Sequence, residues 1–308
     1  MYNTSSVNRV FLRPGDVVDI IAPSSRCHPS VLENMKHLIE SWDLKCHIPE
    51  ELFGDSLLYA NSDEKRLQHL KLALLNTTSK AVWCLLGGFG ATKLIPELSK
   101  IDPPSIRKSF IGFSDITALH LFLTEKWGWS TIHGPSGYQA SLNKISKDSV
   151  NLLKTTLCNE DCSLAYDQLI PLNTFAQIDG QINASVIGGN LHLIQASIGT
   201  SWQINSVDKI LFIEETNERA YRIDRVLEHL RQVGIFDRVK AVLLGDFIDK
   251  GEPDGRFLVQ EIIQEFAREC AFPVLQIRNI GHGQINNPLL FGTMARLQMK
   301  GSYSLEFV

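Results

Sequence analysis

The sequence predicts an α/β protein: an N-terminal doubly wound parallel-sheet domain, followed by a second half richer in strands. Three observations carry this expectation. Short β-branched runs alternate with amphipathic helical stretches through the first half. Two of those runs end in glycine- or serine-bearing turns. The second half has fewer helices and closes on an alternating hairpin. Strand–helix alternation of this kind argues for a parallel sheet with helices on both faces.

Val17 to Pro23 is a buried strand leading into a Pro-Ser-Ser turn, and Val31, Met35, Leu38, Ile39 and Trp42 give the next helix one apolar face. Asn61, three residues before Glu64, reads as a capping-box-like start for the helix carrying Leu67, Leu70, Leu74 and Leu75. Ala81 to Leu86 is a strand ending in Gly87-Gly88-Phe89-Gly90. Ser109 to Gly112 is another, followed by a helix from about Asp115 to Lys126. In such sheets the ligand crevice lies at the carboxyl ends of the strands, which makes the glycine loop and the Phe113-Ser114-Asp115 turn candidates to meet. Polarity rises from about Lys144 to Asp179, so residues 1–150 are expected as one domain, 151–178 as a connection and 179–308 as the second domain. In that domain Lys209 to Ile213 is a strand ending in Glu214-Glu215. Ile223, Val226, Leu227, Leu230 and Val233 then form a helix closed by Gly234. Ala241 to Gly245 and Pro273 to Leu275 are further strands. Ala295 to Met299 and Tyr303 to Phe307 pair around Lys300-Gly301.

Composition narrows the class of partner. The 308 residues are 44% hydrophobic and 21% charged, ample for a normal core. A formal net charge of −4 gives no electrostatic reason to expect nucleic acid or an anionic membrane, and points to a small or neutral substrate. No segment approaches the roughly 18 apolar residues of a membrane helix. The start, Met1 to Val7, lacks the basic and apolar runs of a secretory leader. Six scattered cysteines read as unpaired thiols, Cys84 as a buried one, and Cys158 and Cys162 lack the further ligands of a zinc site. A cytoplasmic enzyme fits these features.

Four places could carry chemistry. Ser114 follows a strand and Gly112 and precedes a helix, where a tight turn would project its hydroxyl and the helix start would offer N–H groups to an oxyanion. A plain helix N-cap is the competing reading. The glycine loop could cradle a phosphate, approach a reacting carbonyl, or serve only as a tight turn, and it matches neither common nucleotide motif. Glu214, Glu215 and Glu218 could mark a solvated helix start, or one of them could orient a histidine. His282, between Gly281 and Gly283 in a loop, has the most permissive setting of the nine histidines. No H-E-x-x-H or comparable ligand group supports metal catalysis.

Taken in order, these motifs resemble the LD-carboxypeptidase family of serine peptidases, which includes the microcin-immunity peptidases. Nearly the whole chain takes part. Gly15 to Ser24 is similar to the family's opening strand, Gly87 to Thr92 to its R-G-G-Y-G-A-T loop, and Ile111 to Ala118 to its nucleophile turn. His133-Gly134-Pro135, Gly188 to Leu191, Ile213 to Arg225 and Gly281-His282-Gly283 match further landmarks. The resemblance implies Ser114 as nucleophile, His282 as general base and Glu214 as the acid that orients it, with Glu215 where the family has Asp. It implies an oxyanion hole from the backbone N–H groups of Gly88 and Asp115. It also implies a smaller, strand-rich C-terminal domain, a small murein-tetrapeptide-like substrate cut to release D-alanine, and no cofactor. A homodimer would be in keeping with the family. Two other functions accompany this one: a microcin-immunity-type peptidase acting on peptidyl or aminoacyl nucleotides, which calls for an aromatic stacking surface such as Trp202 or Phe89, and a catalytically weak peptide-binding homologue. One departure stands out. Leu86 occupies the position of the arginine that precedes the family's glycine loop.

Overall fold

The computed structural model describes residues 9–308, so the expectation drawn from Met1 to Val7 lies outside the described residues. The chain forms two compact units. Among the described residues, one takes 9–162 together with Asn286–Leu289, and the other takes Ser163–Ile285 together with Leu290–Val308.

The first unit runs β1 (Val17–Ile21), α1 (Val31–Glu40), β2 (Lys45–His47), α2 (Asp63–Leu75), β3 (Ser79–Cys84), α3 (Ile95–Leu98), β4 (Ser109–Gly112), α4 (Thr117–Trp127), β5 (Thr131–His133), α5 (Gly137–Ser141) and α6 (Lys147–Cys158). Its strands lie in the order β2-β1-β3-β4-β5, every neighbouring pair parallel. The order reverses direction between β1 and β3, so the loops after those strands diverge and leave a crevice at their carboxyl ends. Pro23-Ser24-Ser25 follows β1 and Gly87 to Gly90 follows β3, one on each side of that point. Phe113-Ser114-Asp115 follows β4, next to β3.

Local chemistry explains the elements. Val31, Met35 and Ile39 bury one face of α1. The cap of α2 is Ser62, whose hydroxyl accepts the Lys65 N–H at 3.2 Å. Asn61, expected in that role, instead accepts the Ser62 N–H and donates to the Glu51 carbonyl, so it braces the preceding loop. The one acid in the Val-Val-Asp-Ile-Ile run, Asp19, is buried. It meets His47 Nδ1 at 2.5 Å, accepts from Asn76 Nδ2 at 3.1 Å and from the Ser79 hydroxyl, and lies 3.7 Å from Lys108 Nζ. Burial pulls Lys108 down to about 8 against the attraction of Asp19. These bonds tie β1, β2 and β3 to the segment entering β4.

The second unit runs β6 (Ala165–Asp167), β7 (Ile170–Pro171), β8 (Gln181–Asn190), α7 (Leu191–Ser197), β9 (Ile210–Glu218), α8 (Ala220–Gln232), β10 (Ala241–Asp249), α9 (Val259–Glu269), β11 (Val274–Gln276), β13 (Thr293–Lys300) and β14 (Ser302–Phe307). A short strand between β11 and β13 in the chain, β12 (Leu289–Phe291), begins at Leu289, which belongs to the first unit. The second sheet has eight strands in the order β6-β14-β13-β8-β9-β10-β11-β7. Its centre, β8 to β11, is parallel, with helices in each crossover, and its flanks are antiparallel. The strand-rich half is therefore a parallel α/β core extended by a hairpin. Residues 151–178, expected as a connection, hold most of α6 together with β6 and β7, and the chain passes between units at Cys162–Ser163.

Gly188, inside β8, shows how closely that sheet is packed. It has φ +144°, and a Cβ there would lie 1.8 Å from the Phe212 carbonyl oxygen on β9. Gly188→Ala is expected to destabilise the protein by about 3 kcal/mol or more, combining backbone strain with overpacking. Urea unfolding measures this; a loss below about 1 kcal/mol would contradict the close approach.

Candidate active site

The turn after β4 is strained in a specific way. Phe113 is extended, at φ −158°, and Ser114 then turns into the left-handed region at φ +64° before the short helical turn Ser114–Ile116 leads into α4. Non-glycine residues pay to sit there, and a serine held in that conformation at a strand-to-helix turn is the geometry of a nucleophile elbow. The helix-cap reading of Ser114 does not hold: its side chain caps neither the short turn nor α4. Gly87 makes room for the elbow, because a Cβ there would fall 2.8 Å from Ser114 Cβ and 3.2 Å from Ser114 Oγ.

The side chains of Asp115, Ser24 and Ser25 knit this turn, the turn after β1 and the glycine loop together. The Asp115 side chain is buried, and its Oδ2 accepts from Ser24 Oγ at 2.6 Å and from the Ala91 N–H at 2.8 Å. Burial pushes the Asp115 carboxyl up, and Ser24, the Ala91 N–H and the Arg66 charge hold it partly back. Ser25 donates its N–H to the Gly87 carbonyl at 3.1 Å and accepts the Phe89 N–H at 3.1 Å. Gly88 lies between those bonds at φ +103°, with Ser25 Oγ only 2.1 Å from where its Cβ would be. Its N–H has no protein acceptor among the described residues.

The second unit brings Glu214 and His282 together. Glu214 is fully buried in β9, and His282 Nδ1 lies 2.6 Å from its Oε2. Burial works most strongly against a charged imidazole, but the charge and hydrogen bond of Glu214, with Glu215 and Asp246 adding, outweigh it, and His282 titrates above its ordinary value. Asp246, within β10, packs against the glycines on both sides of His282 and accepts the Asn279 N–H at 3.1 Å. Burial pushes its carboxyl up to about 6. The solvated-helix-start reading fails for Glu214 and Glu215, because β9 continues to Glu218 and buries both. Glu215 faces different partners: Asn190 Nδ2 at 2.9 Å, the Thr216 N–H at 2.8 Å, the His192 N–H at 3.2 Å and His192 Nδ1 at 2.5 Å. With the Asn190 cap, it pins the start of α7.

Ser114 thus lies in the first unit, with Gly88 and Asp115, and Glu214 and His282 lie in the second. Ser24, Ser25, Arg66 and Asp246 were missed in the sequence. The available signal for Arg66 was a charge on the apolar stripe of Leu70 and Leu74. Cys84 is fully buried, and no disulfide joins the cysteines among the described residues. Among the described residues no group of three or more His, Cys, Asp or Glu is placed to hold a metal ion, and no helix is long and apolar enough to cross a membrane.

Comparison with known proteins decides the family. Residues 18–134 match the LD-carboxypeptidase N-terminal domain and residues 183–297 the LD-carboxypeptidase C-terminal domain. The chain belongs to the LD-carboxypeptidase family. This LD-carboxypeptidase is 37% identical to a Rickettsia conorii protein named "putative carboxypeptidase", over 94% of this chain and 90% of the relative. It is 28% identical to the murein tetrapeptide carboxypeptidase of Pseudomonas aeruginosa, over 91% and 92% of the two chains. An MccF-like protein from Bacillus anthracis shares the fold at a TM-score of 0.82, with 21% identity over 97% of this chain and 98% of that one. Family membership makes this LD-carboxypeptidase a serine-type hydrolase.

Two outcomes follow from the geometry. Ser114→Gly relieves the left-handed strain that Ser114→Ala keeps, so the glycine variant should be about 1 kcal/mol more stable than the alanine variant. Equal urea midpoints would show the turn to be relaxed. His282 has a folded pKa raised above its ordinary 6.5. The stability it contributes is therefore complete below pH 6.5 and is lost as pH rises through the folded value. Glu214→Gln should lower the His282 titration seen by NMR and weaken that pH dependence, whereas an unchanged titration would mean that Glu214 does not set it.

Proposed function

We propose that this LD-carboxypeptidase is a cytoplasmic enzyme of peptidoglycan recycling that releases terminal D-alanine from murein tetrapeptide, with Ser114, His282 and Glu214 as its catalytic triad. The observation that carries the reading is the bond from His282 Nδ1 to buried Glu214 at 2.6 Å, because it leaves Nε2 as the basic nitrogen. The naming of the Pseudomonas aeruginosa relative supports the substrate class. Cysteines that form no disulfide among the described residues suit a reducing compartment.

In this mechanism Ser114 Oγ attacks the carbonyl that joins the L-centre of the diamino acid to D-alanine, and its proton passes to His282 Nε2. Glu214 stabilises the imidazolium that forms. The backbone N–H groups of Gly88 and Asp115 receive the oxyanion, each contributing about 2.7–4 kcal/mol to the transition state. His282 returns the proton to the departing amine as the C–N bond breaks, and D-alanine leaves. Water then attacks the acyl-enzyme, giving a proton to His282, which passes it to Ser114 Oγ as the ester bond breaks, and the tripeptide departs with a new terminal carboxyl group.

The nucleotide-linked alternative needs an open aromatic surface. Trp202 is buried in its own unit and cannot offer one, although Phe89 is exposed. Mass spectrometry of L-Ala-γ-D-Glu-meso-diaminopimelate-D-Ala incubated with the enzyme should show D-alanine release, reduced about 10³-fold or more by Ser114→Ala. Unchanged turnover in that variant would sink the triad. A wild type that ignores the tetrapeptide but cleaves a peptidyl nucleotide would replace the substrate assignment.

A further inference from the structure

We infer that Arg66 is a positioning residue for the oxyanion loop, acting from α2 to hold Gly87–Gly90 in its reactive shape; this rests on the roles proposed for Ser114 and Gly88. Arg66 is 1% exposed. Its Nη1 donates to the Gly90 carbonyl at 3.0 Å and to the Pro23 carbonyl, and its Nε donates to the Asn61 carbonyl at 3.2 Å. Its Nη2 meets Asp63, and its guanidinium lies 4.6 Å from the centre of the Tyr59 ring. One planar group thus joins the turn after β1, the loop after β3 and the loop before α2.

A salt bridge serving only stability would not need this arrangement. Three of the acceptors are backbone carbonyls on separate segments, and two of those segments are the ones linked to the nucleophile turn through Asp115. Ser24 and Ala91, the two donors to Asp115, directly follow Pro23 and Gly90 in the chain. Arg66 and Asp115 therefore grip the same two segments, Arg66 by their carbonyls and Asp115 by donors on the following residues. Gly88, whose N–H is assigned to the oxyanion, lies in the same loop just before the gripped Gly90 and Ala91. The position directly before the glycines is Leu86, which can supply no guanidinium, so the loop's cation reaches it from α2. A fork of fixed geometry suits this task, and a lysine ammonium cannot reproduce it.

Two rates on folded protein test the inference: D-alanine release, and covalent labelling of Ser114 by a fluorophosphonate, which needs no natural substrate. Arg66→Lys should lower kcat and the labelling rate about 10²-fold while KM changes less than about threefold, with circular dichroism unchanged. Guanidinium added to Arg66→Ala should restore part of the labelling rate. Both rates within threefold of wild type in Arg66→Lys would overturn the inference, as would a loss confined to KM. If the Arg66 variants do not fold, Asp63→Asn decides. It removes the partly exposed carboxylate that aims the fork, and a severalfold fall in labelling supports the inference while an unchanged rate overturns it. Loss of labelling in Ser114→Ala checks the nucleophile separately, so a wild type that labels at Ser114 but releases no D-alanine refutes the substrate reading and leaves Arg66 to be judged by labelling alone.

Discussion

Everything in the first unit converges on one residue held where its backbone resists going. Ser114 has φ +64°, a conformation that costs a non-glycine residue of order 1–3 kcal/mol and persists only when its surroundings over-determine it. The surroundings do so from three sides. β4 is fully buried and fixes the approach, and α4, buried along nearly its whole length, fixes the exit. Gly87 leaves only enough space for the turn to fit, with no Cβ to contest it. The parallel order β2-β1-β3-β4-β5 places the loops involved beside one another, so distant stretches of sequence can share one hydrogen-bonded network.

That network contains a buried carboxylate and a buried guanidinium, and neither is there for its charge alone. An unpaired buried charge costs several kcal/mol, whereas a filled one can hold loops that no apolar contact could orient. Asp115 accepts from a hydroxyl and a backbone N–H, and Arg66 donates to three carbonyls. Apolar packing would tolerate a loop shifted by a fraction of an ångström. Hydrogen bonds to peptide groups tolerate it far less, because their strength falls steeply with angle.

The strands and helices were legible because their burial is one-sided and periodic, as in α1, or continuous, as in β3 and β4. Legibility ended where one residue's role depends on a partner far along the chain. Asn61 and Ser62 are both good caps by type, and only the folded loop, in which Asn61 turns to Glu51, separates them. Glu214 and Glu215 stood open between a solvated helix start and a partner for histidine, because acids are usually solvated; a strand reaching Glu218 buries both. Arg66 interrupts an apolar stripe, but its acceptors at Pro23 and Gly90 lie 43 and 24 residues away. The candidate nucleophile, base and acid were marked by the order of the motifs, whereas the residues that hold them were not.

Donor count gives a physical reason to separate the adjacent acids of β9 without appeal to resemblance. Glu215 receives four donors, so its lone pairs are filled before any proton moves, and burial is outweighed enough to hold its carboxyl below the ordinary range. A carboxylate so satisfied gains little when a neighbouring imidazole becomes charged. Glu214 differs. Its Oε2 meets His282, and its buried Oε1 has no hydrogen-bond partner among the described residues. In a water-poor setting such a charge is stabilised chiefly by the imidazolium opposite it, so its energy changes most as His282 takes up a proton. The acid that is poorly solvated at rest is the one suited to assist a base, and its well-solvated neighbour is suited to hold the start of α7 in place.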